Sequence, residues 1–350
     1  MTRIEWTDVT WNPIRGCSPV SPGCENCYAA RHARRMAGHG GAYDGLVTST
    51  GKWTGDVRFV ANKLDEPLHW REPRRVFVNS MSDLFHNGFD DQQIAEVFAV
   101  MRACPRHTFQ IATKRIERFL DLMSAPHGQC GYFEDLVEQA SDDLAGRMQW
   151  CHADGDQSWP LSNLHLIVSC EDQHRAEERI PKLLMCPAAV RGVRLEPLLE
   201  PVDLSFYLRE TKTIHLRMDI AGAIRNKMFH GFTEKGRPVR PMDVEADLRR
   251  RLAAGERVFQ MCDCPEFDPQ TGCPDIVNPA LDWVIVGPET GPHRRECKLE
   301  WIESIVEQSI SSEVPVFVKA IPIDGKVSKN PEEWPKHLRV RMFPGERWSP

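Results

Sequence analysis

The sequence predicts an α/β fold: a complete or partial parallel β/α barrel, TIM-like, with two insertions. Three observations carry this expectation. Short apolar runs of strand length alternate with longer segments of helical period. Seven such strand–helix repeats fit a barrel. No Gly-x-Gly-x-x-Gly follows an early strand, which argues against an open nucleotide-binding sheet.

The first unit joins a strand segment at residues 11–16 to a cysteine-rich loop and a helix over residues 25–36. Pro19, Pro22 and Gly23 keep the loop from becoming helical, and Asn26 is placed to cap a helix that begins near Cys27. The second unit has a strand at Arg75–Asn79 and a helix over residues 90–103, where Ile94, Val97, Phe98 and Met101 recur at helical spacing. Strand Thr108–Ala112 leads into a helix at Ile116–Met123, and strand Leu164–Ser169 into a helix at Arg175–Leu184. Further strands are expected at Val190–Leu195, Trp283–Val286 and Val316–Lys319, with a helix at Leu299–Ile310 between the last two. Residues 126–163 and 207–280 break the rhythm. They read as insertions in a single barrel domain spanning 1–325, followed by a C-terminal extension at 326–350.

With 350 residues, 41% hydrophobic and 27% charged, the chain can bury a large core and reads as a soluble globular protein. No apolar run approaches the roughly 18 residues of a membrane span, and MTRIEWTDVTW lacks the apolar core of a signal peptide. A cytoplasmic location without membrane contact is expected, where all twelve cysteines stay reduced unless they bind metal. A net charge of −6 argues against coating nucleic acid by charge alone. The groups Arg71, Arg74, Arg75 and Lys114, Arg115, Arg118 read first as solvated faces.

Cys17, Cys24 and Cys27 form a C-x6-C-x2-C array. Three thiols so close together in a chain of this kind read as metal ligands. A closed zinc site usually takes four ligands, and an ordinary iron–sulfur cluster is held by four cysteines. Three thiolates leave one position open, as a reactive cluster requires. Zinc completed by a distant residue, or a turn of ordinary reduced cysteines, are the alternatives.

In a β/α barrel the active groups sit at the C-terminal strand ends. Those positions hold Asn79, Ser80 and Asp83; Thr113, Lys114 and Arg115; Ser169, Glu171 and Asp172; Glu196; Glu289 within Gly287–Gly291; and Lys319. Singly, each is an ordinary loop residue or ion pair. Together they suit a charged, zwitterionic ligand, with Lys114 and Arg115 for a carboxylate and Glu171, Glu196 or Glu289 for an amine or ribose hydroxyls.

Cys262, Cys264 and Cys273, with His230 upstream, are candidates for a second metal, zinc or a cluster, in the larger insertion. Cys130, Cys151 and His152 are a weaker set. Cys104, Cys170, Cys186 and Cys297 are isolated and read as small buried hydrophobes. The chain has no Gly-x-Ser-x-Gly elbow, phosphate-binding P-loop or His-Glu-x-x-His helix.

The blocks IEWTDVTWNPIRGCSPVSPGCENCYA, RRVFVNSMSDLFH, HTFQIATKR, SCEDQHRAEERIPKLL, RLEPLLEPVDL and LDWVIVGPETGP resemble the phage and prophage three-Cys-motif family, also called the gene-product-37/68 family. They span residues 4 to 320 without the insertions, and that family is similar to radical SAM proteins of the spore photoproduct lyase and DNA-repair-lyase type. The resemblance implies a radical SAM-type barrel with a [4Fe–4S] cluster on Cys17, Cys24 and Cys27. S-adenosylmethionine would chelate the fourth iron and yield a 5′-deoxyadenosyl radical on reduction. It also implies a nucleobase, nucleotide or DNA as substrate in phage DNA modification or repair, an electron donor, and a partner protein from a neighbouring gene. Departures are visible. The first gap is six residues rather than three, Asn26 precedes the third cysteine and Tyr28 follows it, and Asn79-Ser80-Met81-Ser82 replaces a Gly-Gly-Glu. The resulting cofactor-binding candidates are Tyr28, Asn79, Ser80, Lys114, Arg115, Ser169, Glu171, Glu196 and Glu289. The alternative function is a non-catalytic zinc or iron–sulfur module that binds a partner protein or nucleic acid. A zinc-dependent hydrolase is the third, disfavoured by the lack of a His-carboxylate ligand set.

Overall fold

Val76, Phe77, Val78, Ile111, Leu166, Ile167, Val168, Trp283 to Val286 and Val316 to Val318 are all buried, as expected of strands covered on both faces. A computed structural model describes residues 4–38, 40–123, 131–148, 159–208 and 280–348, with the backbone of four two-residue strands. The apolar runs form one seven-stranded parallel sheet: β1 (Val9–Trp11), β2 (Arg75–Val78), β3 (Thr108–Thr113), β4 (Leu164–Ser169), β5 (Val190–Leu195), β6 (Trp283–Val286) and β7 (Val316–Val318). The strands pair in chain order, so the sheet curls into a half-barrel with no reversal of direction.

The helices are α1 (Tyr28–Arg35), α2 (Asp91–Arg102), α3 (Ile116–Met123), α4 (Tyr132–Met148), α5 (Gln173–Leu184) and α6 (Leu299–Ser311). A capping box starts α2: Asp90 accepts the Gln93 N–H at 2.7 Å, and the Gln93 side chain accepts the Asp90 N–H at 3.2 Å. Trp6, Phe77, Ile167, Trp283, Ile285 and Phe317 form a buried cluster, with Phe343 packed against it. The segment beyond residue 326 forms a hairpin strand, Lys326–Ser328, against Ile321–Ile323. It then runs along β7, with the Val318 N–H bonded to the Val340 carbonyl at 2.9 Å and the Met342 N–H to the Val316 carbonyl at 3.0 Å. That pairing covers an otherwise open sheet edge.

The chain divides into two compact units, Met1–Leu204 with Leu281–Pro350, and Ser205–Ala280. In the second, Thr211–Lys212 pairs antiparallel with Val277–Asn278, and Gly231–Phe232 with Pro238–Val239. Cys262, Cys264, Cys273 and His230, like Cys130, Cys151 and His152, lie outside the described residues.

Two local expectations are corrected. The first sheet strand is Val9–Trp11, because Pro13 cannot donate to a ladder. Ile14–Gly16 leaves the sheet and pairs antiparallel with Val57–Phe59. Helix α1 starts at Tyr28, behind a 3₁₀ turn at Pro22–Cys24, and Cys27 is its N-cap without a side-chain bond; Asn26 does not cap it. Within residues 126–163, α4 packs on α2 and buries Phe133, Val137, Ala140 and Leu144, so this stretch contributes to the core. The Asp90→Ala variant is expected to lose about 1 kcal/mol of stability with an unchanged unfolding slope in urea, because one capping arm is lost.

Candidate functional site

Side chains alternate across a strand, so one face collects every second residue. Phe77 of β2 with Asn79 just after it, Ala112 of β3 with Lys114 just after it, Ser169 of β4, and Arg194 of β5 with Glu196 just after it line one cavity at the C-terminal strand ends. Cys17, Ser18, Gly23, Cys24 and Cys27 form another wall, joined by Tyr28, Ser80, Arg115, Glu289 and Thr290. Of the residues singled out from the sequence, Tyr28, Asn79, Ser80, Lys114, Arg115, Ser169, Glu196 and Glu289 meet here with the three cysteines. Glu171 stands behind the lining, with its side chain fully buried.

The cysteine loop is held from several strand ends. The Gly23 N–H donates to Glu171 Oε1 at 3.0 Å, and Lys114 Nζ donates to Glu171 Oε2 at 2.7 Å. A Cβ on Gly23 would lie 2.9 Å from both that carboxyl and Lys114 Nζ, so a side chain there would push this ion pair aside. Arg115 donates through Nη2 to the Ser18 carbonyl at 2.7 Å and Ser18 Oγ at 2.9 Å. Its Nη1 reaches Asp83 at 3.2 Å and Cys17 Sγ at 3.6 Å. Asp83 is fixed in turn by Thr113 Oγ1 at 2.7 Å and the Lys114 N–H at 3.0 Å.

On the opposite side Asn26 donates to Glu289 at 3.0 Å and to the His293 carbonyl at 2.9 Å. Arg295 bonds Glu289 and also reaches the Pro22 carbonyl at 2.9 Å. The Tyr28 hydroxyl donates to the Ser80 carbonyl at 2.6 Å, and burial raises its pKa, so it remains a donor. His86 Nε2 lies 2.8 Å from Ser18 Oγ, while His86 Nδ1 accepts the Gly88 N–H at 3.0 Å. In the neutral ring Nε2 therefore carries the proton and donates. His86 in that state cannot act as a base toward Ser18.

Charge at the site is unevenly matched. Glu171 meets Lys114 at 2.7 Å and Arg179 at 3.4 Å, while Glu196 meets Arg194 at 2.9 Å and Lys319. Each of these two carboxylates thus faces two cations, leaving surplus positive charge beside the thiols. Burial would raise the Glu171 carboxyl, but Lys114, by charge and hydrogen bond, holds it at about 2. Burial likewise opposes ionisation of Glu196, which Lys319 and Arg194 hold at about 2. Burial pushes the Cys17 thiol up to about 12, with Asp83 adding to the rise and Arg115 opposing it. A metal taking Cys17 would therefore displace a proton at neutral pH.

Three thiols on one cavity wall beside surplus positive charge fit a thiolate-ligated metal group in donor chemistry and in charge. Among the described residues no group of three His, Cys, Asp or Glu side chains is already gathered closely enough to hold a metal ion. Cys104, Cys170, Cys186 and Cys297 are buried, each thiol pushed up to about 12 by burial, as expected of packing residues. Sequence reasoning did not single out Trp53, Ser18, Arg194 or Arg295. Arg194 could have been found, since it is two residues before Glu196 on the same strand face.

The chain belongs to a protein family described as a protein of unknown function (DUF5131), whose model matches residues 1–349. No curated protein and no solved structure matches it.

Glu196→Gln leaves Arg194 and Lys319 buried without a carboxylate, and is expected to cost about 3–5 kcal/mol in urea unfolding at neutral pH. Lys319→Met keeps one cation on Glu196 and should cost clearly less. The folded pKa of Glu196 lies below its unfolded value, so its contribution is complete above about pH 4.5 and is lost as pH falls toward 2. The wild-type advantage over Glu196→Gln should shrink across that window.

Proposed function

We propose that this chain is an iron–sulfur enzyme in which Cys17, Cys24 and Cys27 hold a [4Fe–4S] cluster and the adjoining strand ends hold S-adenosylmethionine. The observation that carries the reading is the placement of three thiols on one wall of a cavity, beside buried cations that outnumber their carboxylates. When bound and reduced, the pair supplies a 5′-deoxyadenosyl radical for hydrogen abstraction from a substrate at the same mouth.

The protein's own residues position and insulate. Arg115 fixes Ser18 and touches Cys17, which sets the first thiol against β3. Glu171 fixes the Gly23 amide between the first two cysteines, and Asn26 anchors the residue before the third. Arg194 and Lys319, two cations on the single carboxylate of Glu196, suit a carboxylate-bearing ligand. Phe77, Ala112 and Trp53 give the cavity apolar surface that restricts water.

Anaerobic purification, reconstitution with iron and sulfide, and absorption spectra with and without S-adenosylmethionine test the reading. About four irons per chain are expected for such a cluster, with a visible spectrum lost in the Cys17→Ala, Cys24→Ala and Cys27→Ala triple variant and 5′-deoxyadenosine formed after reduction. Stoichiometric zinc without iron uptake would overturn the proposal in favour of a closed structural site.

A further inference from the structure

We infer that Trp53 and Asn79 form a recognition subsite for a purine or pyrimidine ring, an inference that rests on reading this cavity as the active site. Asn79 directly follows β2 with φ of 60°, in the left-handed region that asparagine tolerates better than most residues. Its backbone is fixed, with the N–H bonded to the Trp11 carbonyl at 2.8 Å and the carbonyl accepting the Ser82 N–H at 3.2 Å. The residue is 2% exposed and lines the cavity. Both amide atoms, Nδ2 and Oδ1, are buried without a hydrogen-bond partner among the described residues. Several neighbouring polar groups of the lining are already engaged: Tyr28 on Ser80, Ser80 Oγ on Asn12, Lys114 on Glu171, Arg115 on Ser18, Arg194 on Glu196. A buried donor and acceptor left unpaired destabilise a fold unless something binds them.

An asparagine amide offers its donor and acceptor side by side, which matches paired groups on a base edge such as the N6 and N7 of adenine. The second half of the subsite is flat and apolar. Trp53 is held by a bridge to Val47 and packs near Tyr43, with ring centroids 6.5 Å apart. It reaches the cavity together with Phe77 and Ala112. An indole and a bidentate amide on the wall of one cavity are the combination that can hold an unstacked base by its face and its edge. The ring could come from the adenine of S-adenosylmethionine or from a nucleotide substrate.

Titration calorimetry on the full chain, purified without oxygen, uses S-adenosylmethionine and the four deoxynucleoside 5′-monophosphates as probes. At least one should bind saturably, and Trp53→Ala should weaken it about tenfold or more, the loss expected for one stacked base. Asn79→Gly, which suits the backbone angle and removes the unpaired atoms, should abolish binding without lowering the melting temperature. Binding of S-adenosylmethionine alone assigns the ring to the cofactor, whereas nucleotide binding that persists in the triple cysteine variant assigns it to the substrate. No binding by any probe, binding unaffected by both substitutions, or a lower melting temperature in Asn79→Gly would overturn the inference. Iron uptake is measured separately. A cluster without base binding removes this subsite alone, and base binding without iron removes only the cluster proposal.

Discussion

The rest of the site depends on the buried carboxylate of Glu171. It receives the Gly23 amide from the cysteine loop, Lys114 from the end of β3 and Arg179 from α5. Four parts of the chain, β4 included, are thereby tied to two oxygens. A carboxylate this deeply buried is stable as an ion only because its partners are fixed around it. The same constraint sets the loop's composition, because any side chain at Gly23 would collide with Glu171 and Lys114. The six residues between Cys17 and Cys24 therefore follow a defined path across the mouth, with Ser18 pinned by Arg115 at one end and Gly23 by Glu171 at the other.

This arrangement gives the strand-end charges a different role from the one their positions alone suggest. Lys114, Arg115, Glu171 and Glu289 are spent on one another and on the loop, so they act as braces. Groups on the wall that remain to meet a ligand include the three thiols and the amide of Asn79. Bracing from both sides also explains how a loop with only a 3₁₀ turn at Pro22–Cys24 can present three thiols to one cavity.

The seven strands were legible because each buries both faces and so reads as a nearly unbroken apolar run, such as VFV at residues 316–318 or WVIV at 283–286. Their C-terminal ends followed, and with them most of the cavity wall. Helix α4 was less legible: Phe133, Val137, Ala140 and Leu144 recur at helical spacing, but the stretch around them is of mixed polar and apolar character. Pairings such as Lys114 with Glu171 were not legible, since they join residues 57 apart whose approach is set by β3 and β4 lying side by side. Trp53 was hidden for the same reason. Nothing local marks it apart from the other tryptophans, and its place at the mouth comes from the bridge to Val47 and from packing with Tyr43, Ala30 and Met81.

The central claim is that the three thiols hold a cluster with an iron open to S-adenosylmethionine. Electron paramagnetic resonance of the reduced, reconstituted chain tests it most directly. The account predicts a reduced-cluster signal whose g-values shift when S-adenosylmethionine is added, and no signal in the triple cysteine variant. A signal that persists in that variant, or one indifferent to S-adenosylmethionine, would contradict it.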